Sequence, residues 1–376
     1  MMKSDVYALI LLLARKSPTG AVIKKAQELV DKGMDWKKFL EDAVAQGVAP
    51  LIYKNIGVIS EVPHDVTETF RKSHIRNISD TVRSSYELAE IIGSLKKADI
   101  EAIPIKGVTN AEEVFGESSL YPSSDIDIMI RQKDVFKATD IMKDMGYSSK
   151  AELDGFFFEK YIEVNFFKTG AKHVELHFSM HKKRYFNIPE DFWWEDLREL
   201  DFNGNRYKML SREKTILFAS IHLFSHGYSP FKFIVSISEM LRSLQDDIDW
   251  NKLIEDAKKL NIYQPLLLSL YLAVTFLDAP LPDDISGLFK KLSFKERWIF
   301  KQIQRNVFNR NVRFAKVVFL LTVMQYNSFE VICRMIKWIF PPLKEISIRY
   351  NISVESKKIY LYYILNPFLL LKKKRA

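Results

Sequence analysis

Hydrophobic positions near the start of the chain recur at the spacing of an α-helix. Val6, Ile10 and Leu13 form one such series, and similar series follow further along. One face of a helix carries residues three or four positions apart, so each series predicts a helix with one buried face. A longer helix, with a proline near its first turn, is predicted over residues 63–97. We therefore expect an α-helical N-terminal region over residues 1–98.

The pattern changes over residues 99–182, where short apolar runs alternate with turn residues. Predicted strands cover 100–105, 125–130, 156–167 and 173–179, and predicted helices cover 108–115 and 134–145. Pro104 places the first strand at a sheet edge or a strand end, because proline has no N–H for a central ladder. Lys168-Thr169-Gly170-Ala171 predicts a hairpin between the last two strands.

From Phe192 onward the helical spacing returns, and no further strand is predicted. The predicted helices lie near 211–226, 231–244, 250–260, 265–276 and 295–306. The fold class is therefore α+β. A small mixed β-sheet core over residues 99–182 is flanked by the N-terminal helical region and by a larger helical region over 183–376;.

The composition indicates the class of binding partner and the cellular compartment. The net charge of +9 suits an anionic partner such as a nucleotide, nucleic acid or lipid headgroup;. The single cysteine, Cys333, excludes an internal disulfide and fits a reducing compartment. No signal peptide is recognised, and no apolar run reaches the ~18–20 residues of a spanning helix. The sequence predicts a cytoplasmic protein with no transmembrane segment.

The C-terminal tail is apolar and ends in a basic run. Residues 359–371 carry no charge, and Lys372-Lys373-Lys374-Arg375 follows. Such a tail fits peripheral contact with an anionic membrane, where basic residues meet lipid headgroups. It fits equally well a helix that closes the helical bundle.

Two aspartates lie in the predicted strand at 125–130. Asp125 and Asp127 are two positions apart, so their carboxylates leave the same face of the strand, and Ile126 and Ile128 point to the other face;. Two carboxylates this close repel each other, and a divalent cation such as Mg²⁺ relieves that repulsion. The alternative is an ordinary surface strand with a polar face. Glu175 lies in a strand of the same alternating pattern and supplies a third acid.

Lys106-Gly107 stands between a predicted strand and a predicted helix. A glycine turn followed by a helix N-terminus presents backbone N–H groups that can bind phosphate, and Lys106 adds a positive charge;. The alternative is a plain strand–helix turn with a solvated lysine.

Three segments together resemble a known family. Ile105-Lys106-Gly107, Ser124-Asp125-Ile126-Asp127 and Val174-Glu175-Leu176-His177 are similar to the uncharacterised nucleotidyltransferase family, part of the DNA-polymerase-β-like nucleotidyltransferase superfamily. The resemblance covers roughly residues 35–260 and includes the later segment 221–227. It implies that residues 99–182 form a nucleotidyltransferase core.

The resemblance implies a reaction and a set of site residues. The expected reaction moves a nucleoside monophosphate from an NTP to an unknown acceptor, which is an RNA, a protein or a small molecule. Asp125, Asp127 and Glu175 are implied to be catalytic and to hold two Mg²⁺ ions, with Mn²⁺ as an alternative ion, and Glu175 to help take up the proton of the acceptor hydroxyl;. Lys106 and Gly107, with Ser124, are implied to bind the nucleotide, ATP among the candidates.

The chain also departs from the family pattern. Tyr121 stands where relatives commonly have an arginine, Ser236 stands where they commonly have an aspartate, and the loop 116–123 is longer than usual. The departures at Tyr121 and Ser236 motivate a second hypothesis, a non-catalytic protein that binds a nucleotide or another anion on the same fold.

A third hypothesis is a zinc-binding protein. His173, Glu175 and His177 share one strand face, and His222 and His226 lie one helical turn apart;. Packed or hydrogen-bonded histidines are the alternative explanation. A basic and aromatic run, Lys182-Lys183-Arg184-Tyr185-Phe186, fits either a nucleic-acid strand or a solvated loop.

Overall fold

The computed structural model describes residues 2–181, 185–308 and 339–372, together with Cys333 and Ile336. The chain divides into two compact units, Met1–Phe314 and Ala315–Ala376. Helices and a small mixed sheet make up the described part of the first unit, and this confirms the α+β class. The three-part division into residues 1–98, 99–182 and 183–376 stays a prediction.

Helices make up most of the described elements. In the first unit they are α1 (Met2–Leu13), α2 (Gly20–Val30), α3 (Trp36–Ala45), α4 (Ala49–Ile56), α5 (His64–Lys97), α6 (Val108–Phe115), α7 (Val135–Asp144), α8 (Gly155–Lys160), α9 (Glu190–Trp194), α10 (Arg212–Ser225), α11 (Lys232–Leu244), α12 (Trp250–Lys259), α13 (Tyr263–Leu277), α14 (Asp283–Gly287) and α15 (Phe294–Gln304). The second unit contains α16 (Leu343–Tyr350) and α17 (Lys358–Lys372).

Strands lie between α5 and α10. They are β1 (Ala102–Pro104), β2 (Asp125–Ile130), β3 (Glu163–Phe166), β4 (His173–His177), β5 (Arg198–Phe202) and β6 (Asn205–Met209). The main sheet has the order β1-β2-β4-β3, with β2 and β4 parallel and the other two pairs antiparallel. The strand with Pro104 lies at an edge of this sheet, as its proline predicts.

The alternating pattern of β2 and β4 separates the core from the polar face. Ile126, Ile128 and Ile130 are buried together with Val174 and Leu176 of β4. Side chains from α5 and α7 cover this apolar face; they are Leu88, Ile91, Leu95, Val135, Ala138 and Met142. Because successive strand residues point to opposite faces, the aspartates of β2 and the acid of β4 are left on the other side of the sheet.

One predicted strand begins later than expected. Residues 156–160 belong to helix α8, and β3 begins only at Glu163. The carboxylate of Asp154 accepts a hydrogen bond from the backbone N–H of Phe157 at 2.7 Å, which caps the first turn of this helix;. The aromatic run at 156–158 is therefore helical, although its composition favours a strand.

The expectation that no strand follows Phe192 is wrong. Strands β5 and β6 form an antiparallel hairpin, joined by Asn203 and Gly204 with φ of 48° and 74°. Asn-Gly is a common two-residue hairpin turn because both positions require a positive φ. Phe202 and Tyr207 from this hairpin are buried in the same core as the main sheet. The Asn203-Gly204 pair is a hairpin signal in the sequence, but the helical patterns on both sides favoured a continuous helical region.

The apolar tail forms α17, which exposes part of its surface. Tyr360, Leu361, Ile364 and Phe368 are among its exposed side chains. Across the described ranges, we find no helix with the length and apolar character needed to cross a bilayer. Residues 373–376, which hold most of the basic run, lie outside the described residues, so membrane contact through the tail stays a prediction.

Candidate active site

The acidic residues of β2 and β4 come together on one face of the sheet. In the parallel pairing, Asp125 lies opposite His173 and Asp127 lies opposite Glu175. Glu175 offers an oxygen within 4.8 Å of an oxygen of each aspartate. The three acids predicted to lie together therefore do so, although Glu175 is 50 residues after Asp125 in the sequence.

Lys106 reaches this cluster from the turn after β1. Its ammonium lies 3.0 Å from Oδ1 of Asp127 and donates to Nε2 of His222 at 3.3 Å. Burial lowers the pKa of Lys106, but the carboxylates of Asp127 and Asp125 outweigh this and raise it above its ordinary value;. Lys106 is therefore a fixed cation at the acidic cluster.

Gly107 makes the turn that places Lys106. Its φ of 86° and ψ of −140° are unfavourable for residues with a side chain, and it stands directly before the first residue of α6;. A Cβ built there would have 3.9 Å to its nearest neighbour, so backbone conformation rather than space favours glycine.

His177 bridges two of the acids, a role that sequence analysis did not assign. Its Nε2 lies 3.0 Å from Asp127 Oδ1 and 3.2 Å from Glu175 Oε2. Burial lowers the pKa of His177, but these hydrogen bonds outweigh it and raise the pKa to about 9. Burial raises the pKa of Glu175, whereas the hydrogen bond and charge of His177 lower it to about 2. The alternating pattern of β4, which puts His177 on the face of Glu175, was the signal for this contact.

Asp127 is the most buried of the three acids. Its exposed fraction is 1%, and its Oδ2 has no hydrogen-bond partner within the described ranges. A buried carboxylate oxygen without a partner is costly, and a bound cation would satisfy it. The donor set of carboxylate oxygens, with Glu175 close by, therefore fits a divalent metal ion such as Mg²⁺;.

Two serines hold Asp125. The hydroxyl of Ser123 lies 3.1 Å from Asp125 Oδ1, and the hydroxyl of Ser124 lies 3.3 Å from Oδ2. Ser124 therefore orients an acid here, and its contact with a nucleotide stays a prediction.

His222 of α10 and His226, the residue directly after this helix, lie near Lys106 rather than in an acidic group. The rings of His222 and His226 are 4.4 Å apart. Burial and the nearby charge of Lys106 lower the pKa of both, that of His222 well below its ordinary range. Within the described ranges, neither belongs to a group of three or more side chains that could hold a metal. A neutral His222 accepts the hydrogen bond from Lys106 and so helps to position it.

Lys232 of α11 supplies a second cation that sequence analysis missed. Its ammonium donates to the carbonyl of Pro122 at 2.8 Å and lies 5.1 Å from the ring centre of Tyr121. Burial lowers the pKa of Lys232. The resemblance led us to expect an arginine at the position of Tyr121, and Lys232 brings a positive charge from another helix to this point of the fold. Nothing in the local sequence of α11 indicates this placement.

A cavity opens next to the Lys106-Gly107 turn. Its volume is about 40 Å³, and its lining includes Lys106, Asn110, Tyr121, His222 and Ser236. The cavity adjoins the acidic cluster through Lys106, so it is a candidate place for part of a substrate.

The basic and aromatic run after the third acid is only partly described. Residues 182–184 lie outside the described residues. Phe186 is buried and packs against Phe224, and Tyr185 also contacts Phe224. These two rings therefore contribute to packing. Contact of the basic residues with a nucleic-acid strand stays a prediction.

Of the comparisons with known proteins, the match to a family model is the informative one. No curated protein matches the chain at a significant level. Among solved structures, the solution structure of antibiotic-resistance factor ANT(2'')-Ia has a TM-score of 0.34 and 15% identity, over 48% of this chain and 91% of that chain. That likeness is too distant to support an argument. The family model described as uncharacterised nucleotidyltransferase matches residues 32–278. Since this match spans more than half of the chain and contains Lys106 and all three acids, the protein belongs to the uncharacterised nucleotidyltransferase family.

Proposed function

We propose that the protein is a metal-dependent nucleotidyltransferase that moves a nucleoside monophosphate from an NTP to an acceptor. The observation that carries this proposal is the position of Glu175, within 4.8 Å of both Asp125 and Asp127 and beside Lys106. Membership of a nucleotidyltransferase family supports the general reaction.

The proposed reaction is an in-line displacement at the α-phosphorus. An oxygen of the acceptor hydroxyl forms a bond to the α-phosphorus, and the bond from that phosphorus to the bridging oxygen of the β-phosphate breaks. Pyrophosphate leaves with the electron pair of that bond, and the hydroxyl proton passes to solvent. Two bound Mg²⁺ ions, held by Asp125, Asp127 and Glu175, would supply charge stabilisation for the attacking and leaving oxygens.

In this reaction Glu175 acts as a metal ligand rather than as a general base. Its pKa of about 2 makes it a weak base near neutral pH;. In this proposal Glu175 holds the cation, and its uptake of the hydroxyl proton stays a prediction.

The cations of the site act on the triphosphate. Lys106 contacts Asp127 in the protein alone, and its ammonium would be free to contact phosphate oxygens if a divalent ion neutralised Asp127;. The backbone N–H groups at Gly107 and the start of α6 add hydrogen-bond donors. Lys232, next to Tyr121, supplies a second positive charge near the position of the missing arginine.

The proposal is tested by labelling. The purified protein is incubated with each labelled NTP, Mg²⁺ and a cell extract, and transfer of label to a macromolecule or metabolite is followed together with release of pyrophosphate. Asp127→Ala should abolish both, because it removes the buried central acid. Asp144→Ala, which removes an exposed carboxylate at the end of α7, is the matched control and should behave as wild type.

Wild-type activity of Asp127→Ala, in a variant that unfolds at the same urea concentration as the unmodified protein, would refute the catalytic assignment. The unknown acceptor is identified in the same experiment from the labelled product, whether RNA, protein or small molecule.

A non-catalytic nucleotide-binding protein is the second candidate. It is favoured by the internal pairing of the acids, since Lys106 and His177 already neutralise Asp127 and Glu175 without a metal ion. Calorimetry with each NTP in the presence of Mg²⁺ separates the two functions. Binding without any release of pyrophosphate would support this second candidate.

A further inference from the structure

We infer that Asp125, His173 and Glu175 form a site for a divalent transition-metal ion, so that one ion of the proposed pair has a nitrogen ligand. The role of this ion in catalysis rests on the proposed function. The site itself is argued from the geometry of these three side chains, and its test needs no nucleotide.

The register of the sheet brings the three ligands together. Asp125 of β2 lies opposite His173 of β4, and Glu175 follows two positions later on the same face. One ligand atom from each residue lies within 4.8 Å of the others. Bonds from a metal ion to nitrogen and oxygen are about 2.0–2.2 Å long, so one ion between the three atoms needs only small side-chain shifts. All three residues are partly exposed, which leaves a path for the ion.

The gap between His173 and Glu175 is the first sign of a missing partner. His173 Nδ1 lies 4.0 Å from Glu175 Oε1, which is too long for a direct hydrogen bond;. The other oxygen of Glu175 is already bound by His177 at 3.2 Å. Oε1 therefore faces an imidazole nitrogen without bonding to it.

His173 is held in the orientation of a metal ligand. Its Nε2 lies 2.8 Å from Asn165 Oδ1, and its ring stacks on Phe167 with the ring centres 4.6 Å apart and an angle of 6° between the planes. With Nε2–H donating to Asn165, Nδ1 carries a lone pair toward the carboxylates. A hydrogen bond of this kind fixes the tautomer of metal-bound histidines, and a lone pair facing two carboxylates is repulsive unless a cation lies between them.

Of the three acids, Asp125 is the one without a direct ion pair among the described residues. Asp127 pairs with Lys106 and His177, and Glu175 pairs with His177. Within the described ranges, no nitrogen of a lysine, arginine or histidine lies within 4.0 Å of the Asp125 carboxylate, which is held instead by serine hydroxyls. Lys106 and Lys232 act on Asp125 only at longer range, so a divalent ion at this place would neutralise the one of the three acids that has no direct ion pair.

The nitrogen ligand decides the class of ion. Mg²⁺ is a hard cation that prefers oxygen ligands and keeps much of its water, whereas first-row transition ions accept imidazole readily. A set of two carboxylates and one imidazole should therefore favour a transition ion over Mg²⁺.

The test uses Mn²⁺ alone and Mg²⁺ alone with the full-length protein. Mn²⁺ binding is followed by electron paramagnetic resonance, which also reports coupling to a nitrogen ligand, and Mg²⁺ binding by calorimetry. Wild type should bind Mn²⁺ more tightly than Mg²⁺ and show nitrogen coupling. His173→Ala and His173→Gln should weaken Mn²⁺ binding by about tenfold or more and change Mg²⁺ binding by less than about threefold. His64→Ala removes an exposed histidine at the start of α5 and should change neither.

Three results would overturn the inference. They are equal Mn²⁺ affinity in wild type and both His173 variants, equal affinity of wild type for Mn²⁺ and Mg²⁺, and loss of the nitrogen coupling in His177→Ala but not in His173→Ala. If Mn²⁺ binds as expected while no NTP is ever consumed, the proposed function fails and this metal site remains.

Discussion

The ammonium of Lys106 lies 3.0 Å from Oδ1 of Asp127, a carboxylate that is almost fully buried. The same oxygen is 3.0 Å from His177 Nε2. In the protein alone, two basic side chains thus stand where a nucleotidyltransferase of the proposed kind would place metal ions and phosphates. This arrangement stabilises the acids and leads to the predictions below.

Removal of Lys106 should make the protein depend on a divalent ion. Lys106→Met leaves Asp127 with His177 as its remaining basic partner, and a poorly compensated buried carboxylate costs about 1–3 kcal/mol. We expect a lower free energy of unfolding in urea without metal and a larger stabilisation by Mg²⁺ than in wild type. Lys133→Met removes an exposed lysine and should leave both quantities unchanged. Equal unfolding of Lys106→Met and wild type in metal-free buffer would contradict the role given to this ion pair.

The stability of the metal-free protein should fall in mild alkali. The folded-state pKa of His177 is raised from 6.5 to about 9, so its stabilising contribution is complete below pH 6.5 and is lost as the pH rises through about 9;. Up to about 3 kcal/mol of unfolding free energy should disappear over this interval. Urea unfolding at a series of pH values measures it, with His177→Gln as the variant that lacks the effect and His64→Gln as the control that keeps it. A slope that persists in His177→Gln would assign the effect to other groups.

In acid, the free energy of unfolding should change with pH in the opposite direction and fall as the pH falls. The pKa of Glu175 is lowered from 4.5 to about 2, so its contribution is present above pH 4.5 and is lost as the pH falls through about 2;. Glu175→Gln should therefore flatten the loss of stability in acid, measured by the same urea series. Asp144→Asn, an exposed carboxylate, should retain the acid slope of wild type.

Binding of Mg²⁺ should release protons near neutral pH. His177 is protonated below about pH 9 and donates to two of the acids that would hold the ion, so a cation placed there competes with its proton;. Calorimetric titration in two buffers with different ionisation enthalpies measures the number of protons released. His177→Gln should release fewer protons than wild type. An identical heat in both buffers for wild type would show that His177 and the metal do not compete.

The hairpin turn should tolerate little change at Gly204. Its φ of 74° is a left-handed conformation, which costs a residue with a Cβ about 1–2 kcal/mol;. Gly204→Ala should lower the free energy of unfolding by about that amount, because Phe202 and Tyr207 on the flanking strands are part of the main core. Gly155→Ala, at a helical position with open space around its Cβ, is the matched control and should be close to neutral.

Helices and strands were predicted correctly where the spacing of hydrophobic residues was clearly that of one element type. Helix α6 and strand β2 lie at the predicted bounds, because the glycine before α6 and the alternating Asp-Ile repeat of β2 leave few other conformations. Residues 156–160 and the β5–β6 hairpin were mispredicted, since aromatic composition outweighed a helix cap in one case and neighbouring helices outweighed an Asn-Gly turn in the other.

The sequence by itself determined that Asp125 and Asp127 share a face, that the lysine precedes a glycine turn, and that Glu175 lies on an alternating strand, because side-chain periodicity is a local property of the backbone. Only the tertiary structure decided that β2 and β4 are parallel neighbours with Asp127 opposite Glu175. It also decided that His177 bridges the acids, that His222 contacts Lys106, and that Lys232 reaches Tyr121. These contacts join residues from separate elements, and their distances depend on how the strands pair and how the helices pack, which no local pattern encodes.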